Sequence, residues 1–209
     1  RLQAREGAVL LALGQIGAAL ASFDEALAAL PDEYQQLYEE QRERAWALRE
    51  AENLAAASQE YLTNEQLPLE GMAVLTQAES SLLDFLTGGR IWDAARLYAA
   101  MLEADLLLPD APAPTALALR QDAAYLLWKL LVRETGQDDL LTRYSDRMAE
   151  RRGSRSPVGD VEINDPWFDA VLGLVEREIM ELPDGRQFFP NEAVTGLEFY
   201  GWLQATERY

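Results

Sequence analysis

The residues best placed to do chemistry in this sequence are carboxylates. Glu40 and Glu43, in the run Glu39-Glu40-Gln41-Arg42-Glu43, stand three apart in a helical stretch and so share one face. Such a pair can hold magnesium if further oxygen ligands join it, although Arg42 and Arg44 also read as surface ion-pair partners for these acids. A second group of oxygens lies in Gly159-Asp160-Val161-Glu162-Ile163-Asn164-Asp165. Its alternating side chains suit calcium, but it lacks the Asp-x-Asp-x-Asp-Gly rhythm and the distal bidentate Glu of a helix-loop-helix calcium site. Asp165 is better used as the N-cap of the next helix, with Pro166 at the first helical position. The cations gather in one place, where Arg143, Arg147 and Arg151 recur at i, i+4, i+8 and Arg152 and Arg155 follow. Asp139, Asp146 and Glu150 are interleaved with them, so the stripe reads as a solvated face with ion pairs, or as a site for an anion or an acidic peptide.

Two absences exclude more than these groups add. The 209 residues contain no His and no Cys, which removes thiol nucleophiles, disulfides, Ser-His-Asp and Cys-His pairs and imidazole- or thiolate-held metals. Lys129 is the only lysine, and it sits in Leu-Leu-Trp-Lys-Leu-Leu with no Gly-rich loop before it, so Schiff-base and phosphate-loop chemistry lack support. No catalytic residue, metal ligand or cofactor is therefore assigned. The net charge of -18 repels phosphate backbones and argues against nucleic acid. No run of roughly 18 uncharged apolar residues is present, so no membrane span is expected. Nothing resembles a signal peptide, and the cytoplasm is the expected compartment, while Arg1 in place of Met leaves room for an upstream segment.

The elements that must position these residues are helical. Apolar residues make up 49% of the chain and recur at helical spacing, with Leu and Ala far outnumbering Val and Ile, which reads as all-α. Helices are expected near 2–13, 17–30, 33–48, 51–63, 71–87, 91–106, 114–134, 137–152, 166–182 and 191–205, separated by Gly and Pro punctuation such as Pro31-Asp32, Gly88-Gly89 and Pro109 to Pro114. No Gly or Pro breaks 33–63, so a single long helix there stays open. Residues 1–152 are expected to form one helical region and 153–209 a linker with a C-terminal helical cap. Phe188, Phe189, Phe199, Tyr200, Trp202 and Tyr209 crowd into that last stretch, where they would cover the end of a helical stack or enclose a small apolar ligand.

A repeat underlies the first region. Gly7, Leu10, Gly14, Ala19, Phe23, Ala26 and Pro31 are spaced so that a Gly lets two helices approach, small residues sit at their crossing, an aromatic fills the groove and a Pro ends the second helix. This resembles one tetratricopeptide repeat over residues 1–33, departing from the family at Gln3 and Glu6, where large apolar residues are usual. A second match is Gly89-Arg90-Ile91-Trp92-Asp93-Ala94 with Phe85, Tyr98 and Met101, and a third, weaker one is Gly136 with Leu140, Leu141 and Tyr144.

The resemblance implies a stack of antiparallel helical hairpins, a tetratricopeptide-like α-solenoid, whose first helices line a groove for a peptide or protein partner. In the first repeat the groove would be lined by Arg1, Ala4, Ala8, Leu11 and Ala12, and in the Gly89 repeat by Thr76, Glu79, Leu83, Leu86 and Thr87. The Lys and Asn clamp that some members use for chaperone C-termini is absent. An apolar groove in an acidic surround favours a segment with apolar anchors and basic flanks, as in a scaffold, adaptor or sensor part of a larger assembly. Arg-rich, Lys-poor, Ala/Leu-heavy usage points to a GC-rich bacterial genome, and the oligomeric state is open. The alternative is an all-α magnesium-dependent nucleotide pyrophosphohydrolase, which Glu40 and Glu43 resemble in part. The later Glu-x-x-Asp half of that family's pattern is missing, since Glu79 to Asp84 has the wrong spacing.

Overall fold

A computed structural model describes residues 2–13, 15–50, 56–150 and 155–209. Among the described residues every regular element is helical: eleven α-helices and one 3-10 helix, with two isolated antiparallel bridges. The protein is all-α. Contacts divide the chain into unit 1, Arg1–Gln59, and unit 2, Glu60–Tyr209. The boundary expected at 152/153 falls inside unit 2, within residues 151–154, which lie outside the described residues.

Unit 1 consists of α1 (Leu2–Ala12), α2 (Ile16–Ala29), α3 (Asp32–Glu50) and the start of α4 (Ala56–Leu62). The α1–α2 pair is close because Gly7 has no side chain: a Cβ there would stand 2.9 Å from the Phe23 ring. Phe23 packs with Ala19, Leu20 and Ala45, flanked by Ala8, Leu10, Leu11, Ile16 and Tyr38, while Ala4, Ala26 and Leu30 form a second cluster. Pro31 forces Leu30 into an extended conformation that ends α2, and the Gln35 amide donates to the freed Leu30 carbonyl at 2.9 Å. Whether 33–63 is one helix or two falls on residues 51–55, outside the described residues.

Unit 2 is built around α8 (Arg120–Thr135), buried on nearly every side from Arg120 to Val132. It packs on α10 (Phe168–Glu176) and α11 (Gly196–Arg208), and α5 (Leu69–Glu79) packs on α7 (Ala94–Glu103) and α11. The first turns of α5, α8 and α11 are preceded by extended residues that bond to one another. The Leu67 N–H donates to the Val194 carbonyl at 2.8 Å, Ala118 N–H to Leu67 at 2.8 Å, and Val194 N–H to Ala118 at 3.0 Å, closing a ring of three backbone bonds. All three residues are fully buried, so this pairing also meets the need of their polar backbone groups.

The expected helix over 71–87 is interrupted. Ser80 leaves the helix, its hydroxyl donating to the Thr76 carbonyl at 2.6 Å and accepting from the Leu82 N–H, so a serine side chain displaces the helical ladder. The short helix α6 (Asp84–Thr87) follows, closed by Gly88 at φ 66°. The helix expected over 114–134 begins only at Arg120, because 117–119 are engaged in the backbone ring and its flanking bridges. In place of 137–152 stand the 3-10 helix Asp138–Leu141 and α9 (Arg143–Ala149). The first turn of α9 is held from outside, the Asp169 carboxylate of α10 accepting the Tyr144 N–H at 2.7 Å and the Ser145 N–H at 3.2 Å. Asp165 is not an N-cap: its carboxylate closes a turn on the Glu162 N–H at 2.7 Å, and α10 starts at Phe168.

Residues 155–209 are part of this core, to which they give Phe168, Phe188, Phe199, Trp202 and Leu203. Arg120, 3% exposed, ties them down: Nε donates to the Phe188 carbonyl at 2.8 Å and Nη2 to the Glu181 carbonyl at 2.9 Å, with the Phe188 and Trp202 rings against the guanidinium.

Close packing joins α8 to α10, where a Cβ on Gly173 would lie 2.2 Å from the Trp128 indole. Helix propensity alone favours Gly→Ala by about 1 kcal/mol. Gly173→Ala is expected to destabilise instead, by about 1–3 kcal/mol net, through the forced displacement of a buried ring. Thermal and urea unfolding measure the sign, and a rise in Tm would refute the close contact.

Candidate functional site

The residues expected to line a groove are divided by the fold. In α1, Ala8 and Leu11 are half-buried against the unit 1 core and Ala12 is exposed, while Arg1 lies outside the described residues. In unit 2, Thr76, Leu83 and Thr87 are buried, Thr76 bonding back to the Met72 carbonyl and Thr87 to that of Leu83. Glu79 and Leu86 are half-buried. Thr76, Leu83 and Thr87 thus present little surface for a partner.

The other face of α1 is the exposed one. Leu2, Val9 and Leu13 are 85%, 60% and 66% exposed, and their spacing of seven and four places them in one stripe at or just past the helix. Sequence reasoning missed it because the exposed Glu6, four residues after Leu2 and three before Val9, shares that side of the helix, so the stripe does not stand out as an apolar face. Polar contacts hold the hairpin on its other sides: Gln3 to Glu25 at 2.8 Å, and Arg42 of α3 to Asp24 of α2 at 2.5 Å.

That last pairing bears on the carboxylate pair. Arg42 turns to Asp24, Glu43 is exposed, and the Glu40 side chain lies outside the described residues. Among the described residues no group of three or more Asp or Glu is arranged to hold a metal. In the loop considered for calcium, the two Asp160 oxygens accept the Phe188 and Phe189 N–H groups at 2.8 and 2.7 Å, which anchors that loop to the aromatic segment. Of the arginine stripe, Arg143 pairs with Asp139 at 2.5 Å, Arg147 is exposed, and Arg151 lies outside the described residues.

Among the described residues of unit 2, concavities lie at both ends of α8. An open cleft of about 740 Å³ at the C-terminal end is lined by Asp84, Phe85, Asp105, Lys129, Arg133 and Asp138 among others. Its cations are engaged within it: Lys129 meets Asp105 at 2.6 Å, and Arg133 stacks on Phe85 at 3.5 Å. The ion pair holds Lys129 above its usual value against the opposing effect of burial.

The smaller concavity lies at the N-terminal end of α8, beside Asp122. Burial raises the Asp122 carboxyl above its usual value, and the Leu119 N–H, donating at 2.8 Å, opposes that shift. A carboxyl with a raised value in the fold binds its proton more tightly there than in the unfolded chain. Its favourable contribution is therefore complete below the unfolded value near 4 and is lost as pH rises through the folded value. Asp122→Asn keeps an acceptor for Leu119 and removes the buried charge. It is expected to raise Tm at pH 7, with the gain shrinking as pH falls toward 4, in paired melting curves across that range.

Comparison with family models, curated proteins and solved structures found no match to the chain.

Proposed function

We propose that this protein is an interaction module whose first hairpin docks a segment of a protein partner. The observation that carries the reading is the exposed stripe Leu2, Val9 and Leu13 on α1. Three large aliphatic side chains on one short helical face in water are disfavoured by roughly 1.5–3 kcal/mol each relative to burial, which is the driving force that association would use.

The α1–α2 hairpin supports a tetratricopeptide-like reading in its details. Gly7 lies under Phe23, Ala19 and Ala26 are buried where the helices meet, and Pro31 follows the end of α2. The docking face differs from the one expected, since Ala8 and Leu11 belong to the hairpin interior and Leu2, Val9 and Leu13, with Ala12 beside them, form the available surface. The partner segment carries apolar anchors for this stripe and basic flanks suited to a chain of net charge -18.

The double variant Val9→Glu, Leu13→Glu tests the reading. Both side chains point outward, so far-UV circular dichroism and Tm are expected to stay close to the parent. Affinity purification from the native host, followed by direct titration of the recovered partner, is expected to show binding to the parent and at least about a tenfold loss in the variant. Equal binding by both proteins would remove α1 as the docking face.

A further inference from the structure

The small concavity beside Asp122 has the composition of a ligand pocket. It encloses about 270 Å³, with apolar walls from Pro112, Leu117, Pro166 and Trp167 and polar groups from Gln121 and Asp122. It lies wholly in unit 2, so the inference is independent of the docking face on α1.

Its polar groups are chiefly acceptors without donors. Asp122 is 7% exposed and takes one hydrogen bond, from the Leu119 N–H. Among the described residues no cation pairs with it, and the neighbouring Arg120 is committed to the Phe188 and Glu181 carbonyls. The Gln121 Oε1 atom is buried and receives no hydrogen bond. A buried carboxylate and a buried amide oxygen left in this state both disfavour the empty fold, so a donor that reaches them gains more than it would at the surface. The indole N–H of Trp167 is also unpaired, which leaves a donor for an oxygen on the ligand body.

We propose that this pocket binds a small free amine with an apolar body. The ammonium donates to the Asp122 carboxylate and the Gln121 oxygen, and the body lies among Pro112, Leu117, Pro166 and Trp167. Charge supports the choice, since a chain of net charge -18 draws cations and repels carboxylates. The walls support it as well: a strongly hydrated metal ion gains nothing from prolines and leucines, whereas an aryl or alkyl group is removed from water by them.

Calorimetric titration of the full chain with phenethylamine at neutral pH, beside 2-phenylethanol as the uncharged analogue, tests the proposal. Phenethylamine is expected to bind saturably and to raise Tm, while 2-phenylethanol gives neither effect. Asp122→Asn is expected to weaken phenethylamine by about tenfold or more, the loss of one charge-assisted contact. Leu117→Trp, at a half-exposed wall position, is expected to block the pocket with the carboxylate intact. Absence of phenethylamine binding, equal binding of 2-phenylethanol, or full affinity in folded Asp122→Asn would each overturn the proposal. Displacement of phenethylamine by the peptide Phe-Gly-Gly at equal affinity would overturn the free-amine assignment, because a peptide amino terminus would then be the occupant.

Discussion

The constraint on which unit 2 depends is the satisfaction of three buried backbone segments by one another. Leu67, Ala118 and Val194 each give an N–H and take one in a closed ring, and the bridges Pro68 to Leu117 and Leu119 to Ala193 extend the pairing on either side. Opening any one bond leaves a buried donor and a buried acceptor without partners, at a cost of about 1–3 kcal/mol for each group. The ring also sets where three helices begin. Leu69, Arg120 and Gly196 open α5, α8 and α11 within two residues of it, so the relative placement of these helices is fixed by backbone rather than by side-chain fit alone.

Side-chain polarity in unit 2 serves the same end. Arg120 holds the Glu181 and Phe188 carbonyls, Asp160 the Phe188 and Phe189 N–H groups, and Asp169 those of Tyr144 and Ser145. At the other end of α5, Gln204 donates to the Glu79 carbonyl at 3.0 Å and Glu207 accepts the Ser81 N–H at 2.8 Å. Irregular segments cannot pair their own backbone as helices do, and here carboxylates and amides from distant helices pair it for them. Several of the acids that give the sequence its charge are thus structural acceptors.

What the sequence made legible follows from locality. Helical spacing located α1, α2, α3 and α7 to within a few residues and α10 at its start, though α10 ends at Glu176 rather than near 182, and the set Gly7, Ala19, Phe23, Ala26 and Pro31 correctly indicated a close hairpin. The interruption at Ser80 was less visible, since a serine can ride in a helix and the neighbouring Ser81 N–H and Glu79 carbonyl are met by the Glu207 and Gln204 side chains that α11 brings from far along the chain. The backbone ring left no trace, because Leu67, Ala118 and Val194 are apolar residues in stretches without period. The α1 stripe and the Asp122 pocket were hidden for different reasons: one is interrupted by the exposed Glu6, and the other joins the proline loop, the start of α8 and the approach to α10.

The ring of Leu67, Ala118 and Val194 also bears on the order in which the chain can acquire its structure. Its members are widely separated in sequence, and the last of them is made only when nearly all of unit 2 has left the ribosome. Until then the Leu67 N–H and the Ala118 carbonyl have no native partner, and α8 lacks the aromatic residues from 168 to 203 that cover it. Unit 1 is held by contacts between neighbouring helices and can form while synthesis continues. Unit 2 must wait, with its most deeply buried helix uncovered, which makes the interval before residue 194 emerges the period of greatest risk of aggregation.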